Sequence, residues 1–494
     1  MNTPQKPNII FIMTDQHRFD YLGCMGNALT HTPNLDALAA EGLLFNNAYC
    51  PSPVCGPARA AIFSGLYPGT NGHYANWVPY QPCVELLTDR LSRQGYYNAM
   101  VGKLHLCPAY SRHGFDWKML CDSPHDVYCR DEVEINPYLR HVECEKFGGR
   151  RGALNDAAAE SELLPIDDHR FWLGWQYIED KYQMTTWVGD VATEFIEQWD
   201  CVRPLFLNIS FFGPHHPYST CEPWNSLVNP DDVELPSTFS IPKDSPIFTG
   251  SMSAKREKMA QWDESIWRQI IARYCGNIAA IDQQVGRIVT ALKQQGLYDE
   301  SLIVFTSDHG DHMGDFGLLG KGDMYDSSVK VPFIARCPGG GRAGQRRAEV
   351  VNTIDLFGTF LDAAGDNAWR DDFPFHSGSL LPLLHGDAKA YAHENRTFAV
   401  HAYNLNEFKT MTRRDELKLL RLHKGGETFY EAYDCTDDIP DVRNVYDDPA
   451  YAPRLEALRR EVDDFSAREH KAHPLVGGYR PIRGCGSDSR RRTR

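Results

Sequence analysis

The sequence contains no apolar stretch long enough to cross a lipid bilayer, and it carries no excess of positive charge. A membrane-spanning helix needs about 18 or more apolar residues in a row, and no such run occurs in the 494 residues. Asp and Glu number 66 against 51 Lys and Arg, which gives a formal net charge of −15. Because a nucleic-acid-binding surface is usually basic, we expect neither a membrane nor a nucleic acid as a partner. An anionic substrate would need a local positive site within an acidic protein.

Regular cysteine spacing is also missing. The 14 cysteines are scattered along the chain without a Cys-x-x-Cys pair, so we interpret most of them as reduced thiols, with disulfides as the less favoured alternative. The first apolar run, residues 9–13, is short and is not followed by a small-residue cleavage site. This run predicts a buried strand rather than a signal peptide. We therefore expect a cytoplasmic protein, unless a signal peptide preceded Met1.

Strand and helix signals alternate through the first two thirds of the chain. Residues 8–14 and 302–306 are apolar runs that predict buried strands. Between them, apolar residues recur on one helical face over 278–292, and Gly296 ends that helix. Repeated strand–helix–strand units predict an α/β fold with a large, mixed, mostly parallel sheet flanked by helices. Ligands of such sheets bind beyond the carboxyl ends of the strands.

The length of the chain predicts more than one domain. We assign residues 1–385 to a catalytic α/β domain, in which the polar, irregular segment 108–185 is predicted to be an insertion that shapes substrate choice. The alternation ends near residue 385, and short strand-like runs then predict a small α+β domain over 386–475. The arginine-rich tail 476–494 is interpreted as a flexible end rather than as an electrostatic arm.

The most informative segment surrounds Cys55. Pro57 suits the first position of a helix, because its φ is already helical and its missing N–H would have no partner there. Cys55 would then lie at a helix N-terminus, where free N–H groups and the helix dipole favour negative charge. Arg59 lies four residues further on and shares the same helical face. A buried thiol or a surface arginine explains either residue alone, but it explains the pair beside a proline-started helix poorly.

Residues 55–59, Cys-Gly-Pro-Ala-Arg, resemble the C-x-P-x-R signature of the sulfatase family, and the match extends through Ser64 and Gly65. The resemblance covers roughly residues 8–385. It implies that a separate formylglycine-generating enzyme oxidises Cys55 to formylglycine (3-oxoalanine), whose hydrated aldehyde is the nucleophile. It also implies a sulfuric ester hydrolase that acts on a small sulfated substrate.

Polar residues follow two of the predicted strands. Asp15 and Gln16 come just after the first strand, and Asp308 and His309 follow the strand after the long helix. Carboxylates at adjacent strand ends can converge on one hard divalent cation, although an isolated Asp is more often a helix cap or a turn residue. Both segments resemble metal-binding stretches of the family, which implies as ligands Asp15, Gln16, Asp308, His309 and the oxidised Cys55. Gln16 departs from the commonest pattern, because it replaces an aspartate and removes one negative charge. We expect calcium, with manganese or magnesium as alternatives.

Four further basic residues match family segments in their order along the chain. Lys103 and His105 match a G-K-x-H segment, His215 matches a P-H-x-P segment, and Lys321 matches the sulfate-binding lysine. A single lysine or histidine is usually a surface charge or an ordinary hydrogen-bonding group, but four in this order favour a common site. The resemblance implies that all four act in catalysis together with Arg59. Lys103, His215 and Lys321 are the implied contacts to the substrate.

Five other polar residues are weaker candidates for the site. His216 competes with its neighbour for the role of the family histidine, but the spacing to the following proline favours the neighbour. His312 and Asp315 follow the second metal-binding stretch, where a structural role is an equal alternative. His401 and Asn404 lie in the predicted C-terminal domain and are candidates for the rim of the pocket.

The resemblance implies a division of labour among these residues. The cation, Arg59, Lys103 and Lys321 would neutralise the sulfonate oxygens, and one hydroxyl of the hydrated aldehyde would attack the sulfur. His215 or Lys321 would protonate the departing alcohol. His105 would deprotonate the second hydroxyl, which releases sulfate and restores the aldehyde. A serine or cysteine has no second hydroxyl, so its sulfate adduct would be trapped.

Two other functions fit parts of the sequence. A phosphonate monoester hydrolase or phosphodiesterase on the same scaffold would share the Cys-Gly-Pro-Ala-Arg segment and the Asp-Gln pair, but such enzymes lack the equivalents of Lys103 and His105, which favour sulfate monoesters. A non-catalytic binder of sulfated glycans would keep the pocket without the aldehyde, but every polar role of a catalyst is filled here. The alcohol part of the substrate stays open: the insertion and the 12% aromatic content suit a sugar, and an aryl or choline sulfate fits as well.

Overall fold

The computed structural model describes most of the chain. The described residues are 6–81, 84–109, 111–122, 137–138, 141, 144–145, 168–173, 179–241, 251–372, 374–391, 395–404, 406–437 and 439–477. Most of the predicted insertion 108–185 and nearly all of the predicted tail 476–494 lie outside these residues. Every helix within them is too short or too polar to span a bilayer. No disulfide joins two cysteines within them.

An eight-stranded sheet forms the larger layer of the molecule. Its strands are β1 (Asn8–Asp15), β2 (Leu43–Tyr49), β3 (Tyr97–Gly102), β4 (Trp117–Leu120), β5 (Leu205–Pro214), β6 (Ser301–Ser307), β7 (Phe333–Arg336) and β8 (Gln345–Asn352). They lie in the order β4-β3-β5-β1-β6-β7-β2-β8. β7 is antiparallel to both of its neighbours, and all other neighbouring pairs are parallel. The prediction of a mixed, mostly parallel sheet is confirmed.

Helices cover the sheet on both faces. Those before β6 are α1 (Pro33–Glu41), α2 (Cys55–Ser64), α3 (Pro68–Asn71), α4 (Leu87–Arg93), α5 (His169–Leu173), α6 (Met184–Glu197), α7 (Ser251–Met259) and α8 (Glu264–Gln294). Those after β6 are α9 (Asp326–Val329), α10 (Leu356–Ala363), α11 (Trp369–Asp372), α12 (Leu381–His385), α13 (Ala452–Ala472) and α14 (Pro474–Gly477). The long helix α8 begins after Asp263, whose side chain accepts the Ser265 N–H at 2.8 Å and so caps the helix.

Strand β1 shows how the core is divided. Its odd-numbered residues, among them Phe11, lie in an apolar cluster with residues of α2, α4 and α10. Its even-numbered residues, among them Ile10, lie in a second cluster with residues of α1, α6 and α8. Successive side chains of a strand point to opposite faces, and a parallel sheet has both faces buried. An uninterrupted apolar strand at the centre of the sheet is the result.

A second, four-stranded sheet lies towards the C-terminus. Its strands are β9 (Arg396–Asn404), β10 (Glu407–Arg414), β11 (Leu417–Lys424) and β12 (Glu427–Asp434). All neighbours are antiparallel, in the order β12-β11-β10-β9, and α13 packs on β10 and β11. This is the smaller α+β unit that the sequence predicts. Val400 of β9 donates its N–H to the Pro51 carbonyl at 2.9 Å, which brings the second sheet beside the segment that leads into α2.

The order of the strands determines where polar side chains meet. β3, β5, β1 and β6 are consecutive neighbours and all run parallel, so their carboxyl ends share one edge of the sheet. Asp15 ends β1, and Lys103, His215 and Asp308 directly follow β3, β5 and β6. Four residues that are far apart in the sequence therefore lie close together beyond one edge.

Candidate active site

Cys55 is the first residue of helix α2 and is 1% exposed. The prediction that this helix starts at Pro57 is wrong by two residues, because the Ala58 N–H already donates to the Val54 carbonyl at 2.9 Å. Pro57 is tolerated in the third position, since the first N–H groups of a helix have no intrahelical acceptor. The free Gly56 N–H donates to Asn76 Oδ1 at 2.9 Å. The sulfur therefore lies at the very start of the helix, even closer to the dipole than predicted.

Arg59 forms ion pairs with two carboxylates. Its Nε donates to Asp308 Oδ2 at 2.7 Å, and its Nη2 donates to Asp15 Oδ2 at 3.2 Å. Nη1 donates to the Lys103 carbonyl at 2.7 Å and to Ser210 Oγ at 2.8 Å. All three charged side chains are fully buried, so they are stable only as a paired group. Because Arg59 donates to the Oδ2 atoms, the Oδ1 atom of each carboxylate does not bind the arginine.

The Oδ1 side of these carboxylates forms a cluster of ligand atoms. One ligand atom from each of Asp15, Cys55, Asp308 and His309 lies within 4.8 Å of the others. The Cys55 thiol donates to Asp15 Oδ1 at 3.5 Å and lies 3.1 Å from His309 Nε2. His309 Nδ1 is 2.9 Å from the Gly310 carbonyl, so Nδ1 carries the proton and Nε2 turns its lone pair to the cluster. Two carboxylates and a neutral imidazole fit a hard divalent cation.

Gln16 lies beside this cluster in a fixed orientation. Its side-chain Nε2 donates to Asp311 and, at 3.4 Å, to the Tyr218 hydroxyl. Its Oε1 accepts from Lys321 Nζ at 2.5 Å. Since the amide nitrogen is occupied by acceptors, the oxygen must face Lys321 and the centre. The backbone of Gln16 has a left-handed φ of 66°, which a side-chain-bearing residue adopts at a cost. Its role as a metal ligand stays a prediction.

Two lysines bring positive charge to the sulfur end of α2. Lys103 Nζ lies 2.9 Å from Asp15 Oδ2, and Lys321 Nζ lies 3.2 Å from Cys55 Sγ. Burial by itself raises the pKa of Asp15, but nearby positive charge, that of Lys103 foremost and also those of Lys321 and Arg59, holds that pKa well below its usual value. The carboxylate is therefore ionised. The acidic protein thus contains the local positive site that an anionic substrate requires.

Two of the predicted histidines line the same centre. His215 Nε2 lies 3.9 Å from Asp15 Oδ1. His105 is 4% exposed, and within the described part of the chain neither of its ring nitrogens has a hydrogen-bond partner. Burial, helped by the nearby lysine charges, lowers the pKa of both imidazoles well below the usual value. Both rings are therefore neutral, and a buried His105 with unused nitrogens is suited to accept a proton from a bound group.

The thiol of Cys55 is protonated in this environment. Burial and the charge of Asp15 raise its pKa to about 12, against the opposing effect of Lys321 and Lys103. A protonated thiol is a weak nucleophile.

The weaker candidates divide into two groups. His216 is close to the site, since its Nδ1 is 3.3 Å from Gln16 Nε2. His312 instead pairs with Asp323 at 2.8 Å, and Asp315 pairs with Arg18 at 2.7 Å; both support the loop that carries Lys321 and do not join the cluster.

Two candidates come from the second sheet. The ring of His401 lies close to Gly322, since a Cβ built on that glycine would be 3.9 Å from His401 Cε1. His401 is therefore near the residue that follows Lys321. The side chain of Asn404 lies outside the described part.

Several residues that support the site were not predicted. Asn76 and Ser210 bind Gly56 and Arg59 as described above, and Asp122 Oδ1 accepts the N–H groups of Leu104 at 2.8 Å and His105 at 3.3 Å. Asp311 could have been proposed from the sequence, because it lies three residues after Asp308 of the second metal-binding stretch. Asn76 and Ser210 could not, because a loop amide and a strand serine are ordinary residues in a sequence.

The chain matches known proteins over nearly its whole length. Residues 7–366 match the family model described as Sulfatase, and residues 314–468 match the model of the C-terminal region of N-sulphoglucosamine sulphohydrolase. An arylsulfatase of Clostridium perfringens is 29% identical over 96% of this chain and 98% of its own length. An N-acetylglucosamine-6-O-sulfatase of Bacteroides thetaiotaomicron is 24% identical over 93% of this chain and 86% of its own.

The fold is also shared with solved structures. A phosphonate monoester hydrolase of Agrobacterium radiobacter superimposes with a TM-score of 0.71 and 25% identity, over 94% of this chain and 96% of its own. The buried Asp–Cys–Asp–His cluster lies within the region that the first family model covers. On the strength of that match, this chain belongs to the sulfatase family.

Proposed function

We propose that this sulfate ester hydrolase cleaves a sulfate monoester into an alcohol and sulfate, using formylglycine made from Cys55 and a divalent cation beside it. The single observation that carries the proposal is the convergence of Arg59, Lys103 and Lys321 on the Cys55 end of α2, next to two buried carboxylates. An anionic group that must be held and attacked needs such a centre.

The donor atoms support a cation site. Asp15, Asp308, His309 and the residue at position 55 would hold the ion, and the Gln16 carbonyl oxygen would complete the set. When bound, a divalent cation polarises an anionic ester and acidifies a hydroxyl beside it. We propose calcium, with manganese or magnesium as alternatives, because most of the donors are oxygen atoms.

The basic side chains have distinct tasks in this proposal. Lys103 and Lys321 hold the sulfonate oxygens, while Arg59 keeps the two aspartates in place. His215 in its protonated form, which the negative charge of a bound ester favours, or else Lys321, donates the proton that the departing alcohol needs. His105 has two unused ring nitrogens and removes a proton at position 55 when sulfate is released.

Formylglycine explains why a cysteine stands at this position. Its hydrate supplies two hydroxyl groups on one carbon, one for attack and one whose deprotonation expels the sulfate. An unmodified thiol has neither, and its high pKa at this site makes it a poor nucleophile besides. A formylglycine-generating enzyme is therefore the partner that maturation requires.

A second candidate reaction is the hydrolysis of phosphonate monoesters or phosphodiesters. The Asp15–Gln16 pair and the likeness to a phosphonate monoester hydrolase favour it. The presence of Lys103 and His105 favours the sulfate reaction, because phosphonate hydrolases on this scaffold are expected to lack both residues; Lys103 lies at the centre, 2.9 Å from Asp15. A sugar or aryl alcohol is the proposed leaving group, since one relative is named for N-acetylglucosamine-6-O-sulfate.

The test compares p-nitrophenyl sulfate, glucosamine 6-sulfate and a phenylphosphonate monoester on the same preparation, after intact-mass analysis of the peptide that contains residue 55. We expect an aldehyde at that position and a higher kcat/KM for a sulfate ester. Faster turnover of the phosphonate would contradict the sulfate assignment. A wholly unmodified cysteine with tight binding of sulfated sugars would indicate a non-catalytic binder instead.

A further inference from the structure

Trp77 is unusual among the exposed residues. Within the described part of the chain, six large apolar residues are exposed, and Trp77 is the only aromatic one: Trp77, Val202, Leu227, Ile439, Leu475 and Val476. The indole is 43% exposed. A tryptophan buries a large apolar area when it is covered, so the exposed part of this ring offers a large apolar surface to a ligand.

The position of Trp77 ties it to the active centre. Its ring centroid lies 4.9 Å from that of His105, with 51° between the planes. His105 is almost fully buried, so the indole covers this histidine on the inside and leaves part of its own surface to solvent. Trp77 is therefore a partly exposed aromatic ring in direct contact with a proposed catalytic group.

The loop that carries Trp77 is held in place at three points. Gln81 donates its N–H to the Asn71 carbonyl at 2.8 Å, which closes the base of the loop. Val78 donates its N–H to the Ala75 carbonyl at 3.3 Å, which makes residues 75–78 a turn. Asn76, next to Trp77, accepts the Gly56 N–H at the start of α2. The indole is thus presented by a structured turn that is linked directly to residue 56.

The backbone of Trp77 is in a conformation that does not suit it. Its φ is 71°, at the third position of the turn, where glycine or asparagine is preferred because this φ is left-handed. A bulky residue in this region is strained, and such strain concentrates at functional sites. The left-handed φ therefore makes Trp77 a candidate for a role in function.

We infer that Trp77 is the platform on which the ring of the leaving alcohol lies, and that the substrate is consequently a ring-bearing sulfate monoester, either a pyranose or an aryl ester. A flat apolar indole face matches the apolar face of such a ring. A short acyclic alcohol leaves most of that face uncovered. This inference rests on the proposed function and assigns a residue that would bind its sugar or aryl leaving group.

The experiment measures kcat and KM for p-nitrophenyl sulfate, glucosamine 6-sulfate, ethyl sulfate and choline sulfate with the wild-type chain, Trp77→Ala and Trp77→Phe. We expect Trp77→Ala to raise KM for the two ring-bearing esters on the order of tenfold and for the two acyclic esters less than about twofold, with Trp77→Phe in between. Leu227→Ala, which alters a residue of nearly equal exposure at 42%, is the matched control and should leave every KM unchanged.

A binding measurement tests this inference independently of the proposed reaction. In a Cys55→Ala background, which has no nucleophile, we expect Trp77→Ala to weaken p-nitrophenyl sulfate binding by about the same factor as it raises KM, and to leave ethyl sulfate binding unchanged. If the wild-type chain turns over no sulfate ester, the proposed function fails, while this comparison still decides the role of Trp77.

Three results would overturn the inference. The first is an equal loss of kcat for all four esters at constant KM, which would mean that Trp77 acts only by positioning His105. The second is a loss that is largest for choline sulfate, which would indicate a site for a cation. The third is no change in either KM or binding.

Discussion

Two of the regions that bury charged side chains are built differently. At the active centre Arg59 joins Asp15 and Asp308. Between the two sheets, Lys418 of β11 lies 2.5 Å from Asp326 of α9 and also pairs with Asp441. Both groups contain one base and two acids. Both also lie away from water, so neither would be stable without its partners.

The two groups differ in which of their hydrogen-bonding atoms remain available to a ligand. Within the described residues, the Oδ1 atom of Asp15 at the active centre accepts a hydrogen bond from the Cys55 thiol alone, at 3.5 Å, and neither ring nitrogen of the nearby His105 has a hydrogen-bond partner. In the group between the sheets, Asp441 also accepts the backbone N–H of Asp326 at 2.6 Å. A buried polar group is normally satisfied. Unused nitrogens beside a set of metal-ligand atoms therefore indicate a place for a ligand at the active centre. In the second group each carboxylate forms an ion pair with Lys418, which indicates a structural role.

The largest effect should follow from breaking the group at the active centre. Arg59→Ala removes the base that separates and orients Asp15 and Asp308, so we expect kcat/KM to fall by roughly 10²–10³. The free energy of unfolding should also fall by about 3–5 kcal/mol, because two buried carboxylates lose their partner. Turnover of p-nitrophenyl sulfate and urea unfolding measure the two effects. A variant with wild-type turnover would show that this arginine is not needed for the reaction.

The group between the sheets should respond in stability rather than in rate. Lys418→Met leaves Asp326 and Asp441 buried together, and we expect the free energy of unfolding to fall by about 3–5 kcal/mol. Turnover by the folded fraction should change less than about tenfold, because Lys418 does not contact the cluster around Cys55. Urea unfolding and turnover at low temperature check this prediction.

Lys293→Met is the matched control for this variant, because Lys293 pairs with Glu41 at 3.3 Å on the surface and should cost less than about 1 kcal/mol. Equal losses in the two variants would mean that the Lys418 group contributes no more than a surface pair.

A smaller, pH-dependent effect should come from Glu469 of α13. Its carboxylate accepts the Gly69 N–H at 2.9 Å and the Thr70 hydroxyl at 2.8 Å, and burial raises its pKa from 4.5 to about 7. Folding therefore favours the protonated form. The stability that this group contributes is fully present below pH 4.5 and is lost as the pH rises through about 7.

We expect Glu469→Gln to be more stable than the wild-type chain at pH 8, on the order of 1–3 kcal/mol, and the difference to vanish near pH 4.5. Thermal unfolding at a series of pH values measures it. A constant difference between the two chains across this range would refute the titration of Glu469.

The sequence predicted those parts of the site that lie at strand ends. Asp15 and Asp308 follow apolar strands, and the topology brings parallel strand ends together, so the meeting of these residues follows from the pattern alone. The spacing of Cys55 and Arg59 likewise implies one helical face. The α/β class and a smaller α+β unit at the C-terminus followed from the pattern of apolar runs, whereas the antiparallel pairing of that unit was not predicted.

The sequence does not indicate which group each polar atom binds. Ser210 binds Arg59 across 151 positions, and no local pattern records such a distant pair. The exposure of Trp77 and its left-handed φ result from the packing of the loop, which an aromatic residue in a sequence does not indicate. The start of α2 was misplaced by two residues because Pro57 is compatible with any position of the first turn.

The burial of Cys55 has a consequence for how the protein is made. With 1% of its surface accessible, the thiol is out of reach of any macromolecular catalyst once the two sheets have packed. The proposed oxidation must therefore act on the nascent or still unfolded polypeptide. Folding and maturation then compete in time, and molecules that fold first would remain permanently inactive.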